Sequence, residues 1–311
     1  MKKKILITLA VLLAVLIVAL FTIGIIFYVV PPKLKTDATI GVKWMKTYSD
    51  ELTDKYLNFA SQNGVNEIYY KTATFDETTA EFIAKAKTKN IKVYAYWDDT
   101  NWASNISQFN TRYGSYKTYQ NSHTDAQFEG IHLNINPTTI SNWTYNKREA
   151  LIKFLKECVF NICDTCHEDN VKVDFEIFSD LDHRDANSNT ITSDSDVVTF
   201  DGVSKLVCEW IIDRADRVFV QCGFNKSKDI ADCAKEEFEY AKAQGKTIFY
   251  ALETDDISDI AKEGDENEGV SFFKKSKRYL NNEIKNVGKG LKQDYGVQIS
   301  DIESWYKMKN N

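Results

Sequence analysis

Between Thr39 and Asp301, short runs in which apolar residues alternate or dominate are each followed by a longer stretch whose apolar residues fall three and four apart. The first pattern is that of a strand with a buried face and the second that of an amphipathic helix. Eight runs read as strands: 39–44, 66–71, 91–97, 130–136, 172–178, 217–222, 247–253 and 296–301. Helical spacing covers 50–62, 77–88, 146–163, 200–214, 229–244 and 270–291, as where Leu151, Phe154, Leu155, Cys158 and Ile162 share a face. Eight such units predict an α/β fold, a single (β/α)8 barrel. A doubly wound sheet shows the same alternation. The repeat number and the lack of a Gly-rich phosphate fingerprint after the first strand favour closure.

The longest apolar run lies before the barrel. Ile5 to Val30 is diluted only by Thr8, Thr22 and Gly24. At about 1.5 Å per helical residue it spans a hydrocarbon core of roughly 30 Å. It is too long for the core of a cleaved signal peptide and carries no small-residue cleavage site at its end. Lys2, Lys3 and Lys4 precede it, which by the positive-inside rule keeps the amino terminus in the cytoplasm. The expected organisation is a cytoplasmic tail (1–4), a transmembrane signal anchor (5–30), a tether stiffened by Pro31 and Pro32 (31–38), and a barrel ectodomain (39–311) on the extracytoplasmic side.

A net charge of -6 with interspersed lysines leaves no basic stripe, which excludes nucleic acid as a partner. The longest polar stretch, 180–196, follows the fifth strand, where a loop of the active face belongs. The six cysteines, Cys158, Cys163, Cys166, Cys208, Cys222 and Cys233, could form disulfides in an exported domain or serve as buried thiols. Cys163, Cys166 and His167 match a c-type haem attachment pattern, but the match lies on an outer helix where no haem-sized cavity is implied. No cofactor is expected. The histidines are His123, His132, His167 and His183, and none pairs at metal-ligand spacing, so neither a metal site nor a metal-dependent phosphodiesterase is expected. Sequons occur at Asn105, Asn142 and Asn225.

Ligands of such barrels bind at the carboxyl ends of the strands. Because strand side chains alternate, Ile131, Leu133 and Ile135 should face the helices while His132, Asn134 and Asn136 point inward. By the same parity Asp174 and Glu176 point inward from the fifth strand, Phe249, Ala251 and Glu253 share a phase on the seventh, and Gln298 aligns with Ser300. Lys43, Lys71, Asp98, Gln221 and Asp255 complete the polar set at the rim. His132 lies low and reads as a core histidine; Asp174, also low, could pair with Lys43 or another inward cation. Trp97 and Trp305, at strand exits, are candidate stacking platforms. Carboxylates, amides, lysines and aromatic faces together suit sugar recognition.

The string Gly130-Ile131-His132-Leu133-Asn134-Ile135-Asn136-Pro137 resembles the fourth-strand signature of bacterial glycoside-hydrolase-like TIM-barrel proteins, Gly-Ile-His-Leu-Asp-(Ile/Val)-Glu-Pro. The segments Ala215-Asp216-Arg217-Val218, Leu252-Glu253-Thr254, Gly296-Val297-Gln298-Ile299 and Trp305-Tyr306-Lys307 extend the resemblance to the end of the chain. It implies an oligosaccharide or cell-surface glycan as ligand. The departures are as informative. Asn134 and Asn136 stand where the family has Asp and Glu, and Ser300 stands where it has His. Glycoside hydrolysis commonly uses two carboxyls roughly 5 to 9.5 Å apart, and Asn cannot exchange a proton near neutral pH. The expectation is a membrane-anchored barrel acting on or binding extracellular carbohydrate with reduced or lost catalysis. The alternatives are an active glycosidase using Glu176 and Glu253, with Asp98, Asn134, Asn136, Asp174, Gln221, Asp255, Trp97, Ser300 and Trp305 contacting substrate, or a scaffold barrel with no carbohydrate ligand.

Overall fold

The computed structural model describes Val15, Leu34 and residues 36–140, 146–179, 181, 196–256, 271–289, 291 and 294–310. The described residues form ten strands: β1 (Thr39–Trp44), β2 (Glu67–Tyr70), β3 (Lys92–Trp97), β4 (Ile131–Leu133), β5 (Val173–Phe178), β6 (Val197–Phe200), β7 (Val203–Leu206), β8 (Arg217–Cys222), β9 (Ile248–Leu252) and β10 (Tyr295–Ile299). All but β6 and β7 run parallel and close into a barrel in the order β1-β10-β9-β8-β5-β4-β3-β2. The barrel and its eight strands are therefore as the periodicity predicted.

The covering helices are α1 (Asp50–Gln62), α2 (Glu77–Lys87), α3 (Ser107–Ser122), α4 (Lys147–Lys153), α5 (Asn161–Glu168), α6 (Val207–Arg214), α7 (Ser227–Cys233), α8 (Lys235–Ala243), α9 (Lys277–Val287) and α10 (Ile302–Lys307). Several begin where a short polar side chain satisfies an orphan backbone N–H: Ser49 accepts from Leu52, Asp76 from Thr79, Ser276 from Tyr279 and Asp301 from Ser304.

Strand parity divides the interior into two cores. Ile40, Val42, Trp44, Ile131, Leu133, Val173, Phe175, Ile177, Val297 and Ile299 face outward and join the helices in one large apolar layer. Tyr69, Tyr94, Tyr96, Phe219, Phe249 and Ala251 form a separate cluster inside the barrel. The bulk of those rings is accommodated by glycines. A Cβ on Gly41 would stand 2.5 Å from the Tyr69 ring, and one on Gly296 would overlap Phe249.

Three helix expectations need correction. Residues 200–206, read as the start of a helix, instead turn through Asp201 and Gly202 at φ 50° and 79° and pair β6 with β7. Asp-Gly is a strong hairpin signal because both positions accept positive φ. The 146–163 helix continues to Glu168 but passes through a π-helical stretch, Phe154–Phe160, between α4 and α5. The 229–244 helix breaks at Ala234 into α7 and α8.

No described helix is long and apolar enough to cross a membrane. The apolar run expected to do so lies outside the described residues except for Val15. All six cysteines are free thiols, five of them buried, so no disulfide links these elements. Among the sequons, Asn105 is exposed, whereas Asn225 is 6% exposed and donates its Nδ2 to the Ser271 carbonyl at 2.9 Å; Asn142 lies outside the described residues.

Candidate active face at the barrel mouth

The barrel axis is filled from the floor upward by polar groups in contact. At the floor, Arg217, on the first residue of β8, makes a two-pronged pair with Asp174 at 3.0 and 2.7 Å and reaches Glu67 at 2.9 and 2.8 Å. Its guanidinium lies over the rings of Tyr94 and Phe249. Burial would lower the basicity of Arg217, but the carboxylate of Asp174 outweighs it and holds the guanidinium above its ordinary value. Asp174 has no exposed surface. It belongs to this floor, well below the mouth, and its cation is Arg217, not Lys43.

One layer up, His132 sits stacked on Tyr96, tilted against Tyr69 and edge-on to Phe219. Its Nδ1 lies 3.9 Å from Asp174 Oδ2, beyond hydrogen-bond reach, and its Nε2 is 3.2 Å from Glu176 Oε2. The Gln298 amide lies 3.0 Å from that same Nε2. Nε2–H cannot donate to Glu176 while accepting from an amide nitrogen. Turning the Gln298 amide so that its Oε1 faces His132 removes the conflict, the one Nε2–H then being shared between Glu176 Oε2 and Gln298 Oε1. His132 is thus a buried core histidine as expected, with a carboxylate on the side facing the mouth.

Glu176 is the centre of the next layer. Oε1 accepts from Lys43 Nζ at 2.6 Å and from Gln221 Nε2 at 3.0 Å, while Oε2 faces His132. Gln221 also donates to Asn134 Oδ1 at 3.3 Å, and Asn134 donates to Tyr96 Oη at 3.4 Å. Side chains from β1, β4 and β8 therefore converge on one carboxylate carried by β5, with Tyr96 of β3 one contact further out. Burial pushes the Glu176 pKa up, but the Lys43 charge and the hydrogen bonds from His132 and Lys43 prevail and bring it down to about 2. Lys43 is raised above the usual lysine value: its burial acts against this, and the charges of Glu176, Tyr96 and Glu253 overcome it.

Glu253, just past β9, is half-buried and behaves oppositely. Burial raises its pKa, Lys43 offsets part of this, and the nearby Glu176 charge adds to the rise. The two acidic residues expected to form a catalytic pair thus share one electrostatic environment, one held as an anion and the other pushed toward its neutral acid.

The remaining expected residues are dispersed. Ser300 is buried, and its hydroxyl accepts from the Thr254 N–H at 2.9 Å. Asp98 pairs with Lys71 at 2.6 Å on the β2–β3 side of the mouth. There a cavity of about 380 Å³ is lined in part by Met45, Lys71, Tyr96, Asp98 and Trp102. Asp255 borders a second cavity of about 420 Å³ with Asp301 and Glu303. Asn136 accepts from the Thr138 N–H at 2.9 Å and caps the short helical turn Pro137–Thr139. Trp97 and Trp305 are both buried, Trp97 with an edge on the 380 Å³ cavity. Trp97 has the outward parity of Val93 and Ala95, is 3% exposed and packs edge-on against Trp102, Phe109 and Tyr116. Trp305 is fully buried against Phe59. The sequence reading missed the direct contacts of Lys43 and His132 with Glu176. Shared inward parity at similar heights on their strands was the available signal.

No protein-family model matches this chain, and no curated protein matches it in sequence. Solved structures do resemble it in fold. A GH18 chitinase from Pseudoalteromonas aurantia superposes with a TM-score of 0.51 at 10% identity, covering 86% of this chain and 95% of that one. A Rhizomucor miehei β-1,3-glucanosyltransferase variant, solved in complex with laminaritriose, superposes with a TM-score of 0.48 at 9% identity over 84% of this chain and 86% of its own. The chain is a (β/α)8 barrel like the chitinase.

Proposed function

We propose that this protein is a membrane-anchored, glycoside-hydrolase-like barrel that binds extracellular carbohydrate at its mouth with reduced or lost hydrolysis. The observation that carries the reading is the state of Glu176. Its side chain has no exposed surface and its oxygens meet Lys43, Gln221 and His132, so it is closed off from a sugar or a water at the mouth. Asn134, on the neighbouring strand, supplies hydrogen bonds and no proton. What remains is a polar mouth of amides, hydroxyls and charged groups on a rigid barrel, which suits binding without turnover.

A second reading, an active glycosidase, draws support from Glu253. Two carboxyls whose environments push their pKa values apart are the usual arrangement for an acid and its charged partner. A glycan array followed by a reducing-end assay separates the two. The binding reading expects wild type to retain a glycan without hydrolysing it, and Asn134→Asp to raise turnover. The enzyme reading expects wild-type hydrolysis that Glu253→Gln or Glu176→Gln abolishes while binding survives. Failure of every glycan to bind removes both and leaves a scaffold barrel.

The anchor, residues 5–30, rests on its length and the lysines before it. Carbonate-washed membranes should retain the full-length chain, and protease outside intact cells should digest the barrel. A soluble mature chain beginning after residue 24 would overturn this part.

A further inference from the structure

Arg112 lies on α3, outside the set of residues that the strand ends single out. Its guanidinium is held between the rings of Phe75 and Trp97, at 5.3 and 5.4 Å from their centroids. It donates to the backbone carbonyls of Thr72 and Ala73. Neither acceptor carries a charge. Among the described residues no carboxylate lies within ion-pair distance of it, although Asp98 and Asp99 stand on the wall of the same cavity and act on it from farther away. Asp98 pairs with Lys71, and Asp99 Oδ1 accepts from the Asn101 N–H and side-chain amide. Arg112 lines the 380 Å³ cavity beside Tyr96 and, on its other side, a groove of about 750 Å³ that also borders Thr74, Phe75 and Trp102.

Burial lowers the basicity of Arg112 and the charges of Asp98 and Asp99 offset this only in part, so the guanidinium is incompletely compensated, and its planar fork matches a carboxylate in two-pronged geometry. Arginine presents five N–H donors, and the two carbonyls leave several of them unused. Lys71, on the same cavity wall, is paired with Asp98 at 2.6 Å. Lys46, also on that wall, is drawn away to Glu303.

We propose that the cavity bounded by Lys71, Tyr96 and Arg112 is a subsite for a carboxylate-bearing sugar unit, with the carboxylate on the Arg112 guanidinium. This rests on the carbohydrate reading above and adds a substrate class to it: an acidic glycan such as a uronic-acid polymer. The rings of Phe75 and Trp97 cover part of the guanidinium, which strengthens a charge-assisted pair relative to one at a fully open surface.

The test uses the full-length chain in detergent micelles and uronic-acid oligosaccharides, each measured against its own carboxyl-reduced form by calorimetry. Wild type should bind the acidic form at least about tenfold more tightly, a preference that weakens as salt is raised. Arg112→Gln should abolish the preference while the neutral form still binds, and Arg112→Lys should keep part of it, because an ammonium retains charge but not the fork. The wild-type comparison stands even if a variant folds poorly. Equal affinity for acidic and reduced forms, or an unchanged preference in folded Arg112→Gln, overturns the subsite while leaving glycan binding intact. Binding of neither form to wild type overturns the subsite, and failure across a neutral glycan array as well overturns the parent reading.

Discussion

At the scale of single residues, the decisive feature is a carboxylate whose partners are all side chains from other strands. Removing the charge from Glu176 leaves the Lys43 ammonium buried without its counter-ion. Glu176→Gln should therefore destabilise the fold by roughly 3–5 kcal/mol in urea unfolding. Replacing the pair together, Lys43→Met with Glu176→Leu, should recover most of that loss; a double variant as unstable as the single one would show that the pair is not the cause. The pH dependence follows from the same contacts. The folded-state pKa of Glu176 is depressed from the ordinary 4.5 to about 2, so its stabilisation is fully present above pH 4.5 and is lost as pH falls toward 2. Asp174 is also depressed and acts in the same direction. Glu253, raised, has the opposite sign: it costs stability as pH rises through its folded-state value and relieves that cost on acidification. Denaturant melts across this range should show stability falling below pH 4.5 in wild type and a shallower fall in Glu176→Gln. Trp305→Ala should cost about 3–5 kcal/mol without altering glycan affinity, since the ring is a core group against Phe59.

At the scale of elements, strand parity explains both the successes and the errors of the sequence reading. The inward placement of His132, Asn134, Asp174, Glu176 and Gln298 was legible because one phase of each strand is apolar and must meet the helices. Trp97 obeys the same rule from the other side: with Tyr94 and Tyr96 inward, it had to face the helices, and only its position at a strand exit suggested otherwise. The hairpin of β6 and β7 was misread because Val203 to Leu206 runs directly into a helical pattern, while its turn signal, Asp201-Gly202, is a dipeptide. Glycine carries two distinct roles here. Gly296→Ala, which would drive a Cβ into Phe249 within the barrel, should lower stability by about 1–3 kcal/mol through overpacking. Gly202→Ala meets no neighbour and should cost about 1 kcal/mol through its positive φ alone. Thermal melts of the two variants would reverse this ordering only if the barrel interior relaxes around the added methyl.

At the scale of the whole molecule, the barrel makes the cysteines inaccessible without bonding them to one another. Burial pushes the thiols of Cys158, Cys163, Cys166 and Cys222 up, and Cys166 reaches about 12. A thiol reagent should therefore find all six in denaturant and at most the partly exposed Cys233 in the native protein; fewer than six in denaturant would show disulfides in the mature chain. The sequence by itself determined the barrel, its eight strands and the inward phase of the fourth and fifth, because periodicity and residue type are local properties. The tertiary structure alone decided which charges meet. Lys43 and Glu176 are far apart in sequence, as are Glu67 and Arg217, and only barrel closure sets which inward groups share a height. That height made Asp174 a floor residue bound to Arg217, fixed Glu176 as an anion, and left Arg112, on a helix that no strand rule reaches, facing a cavity without a carboxylate in contact with it.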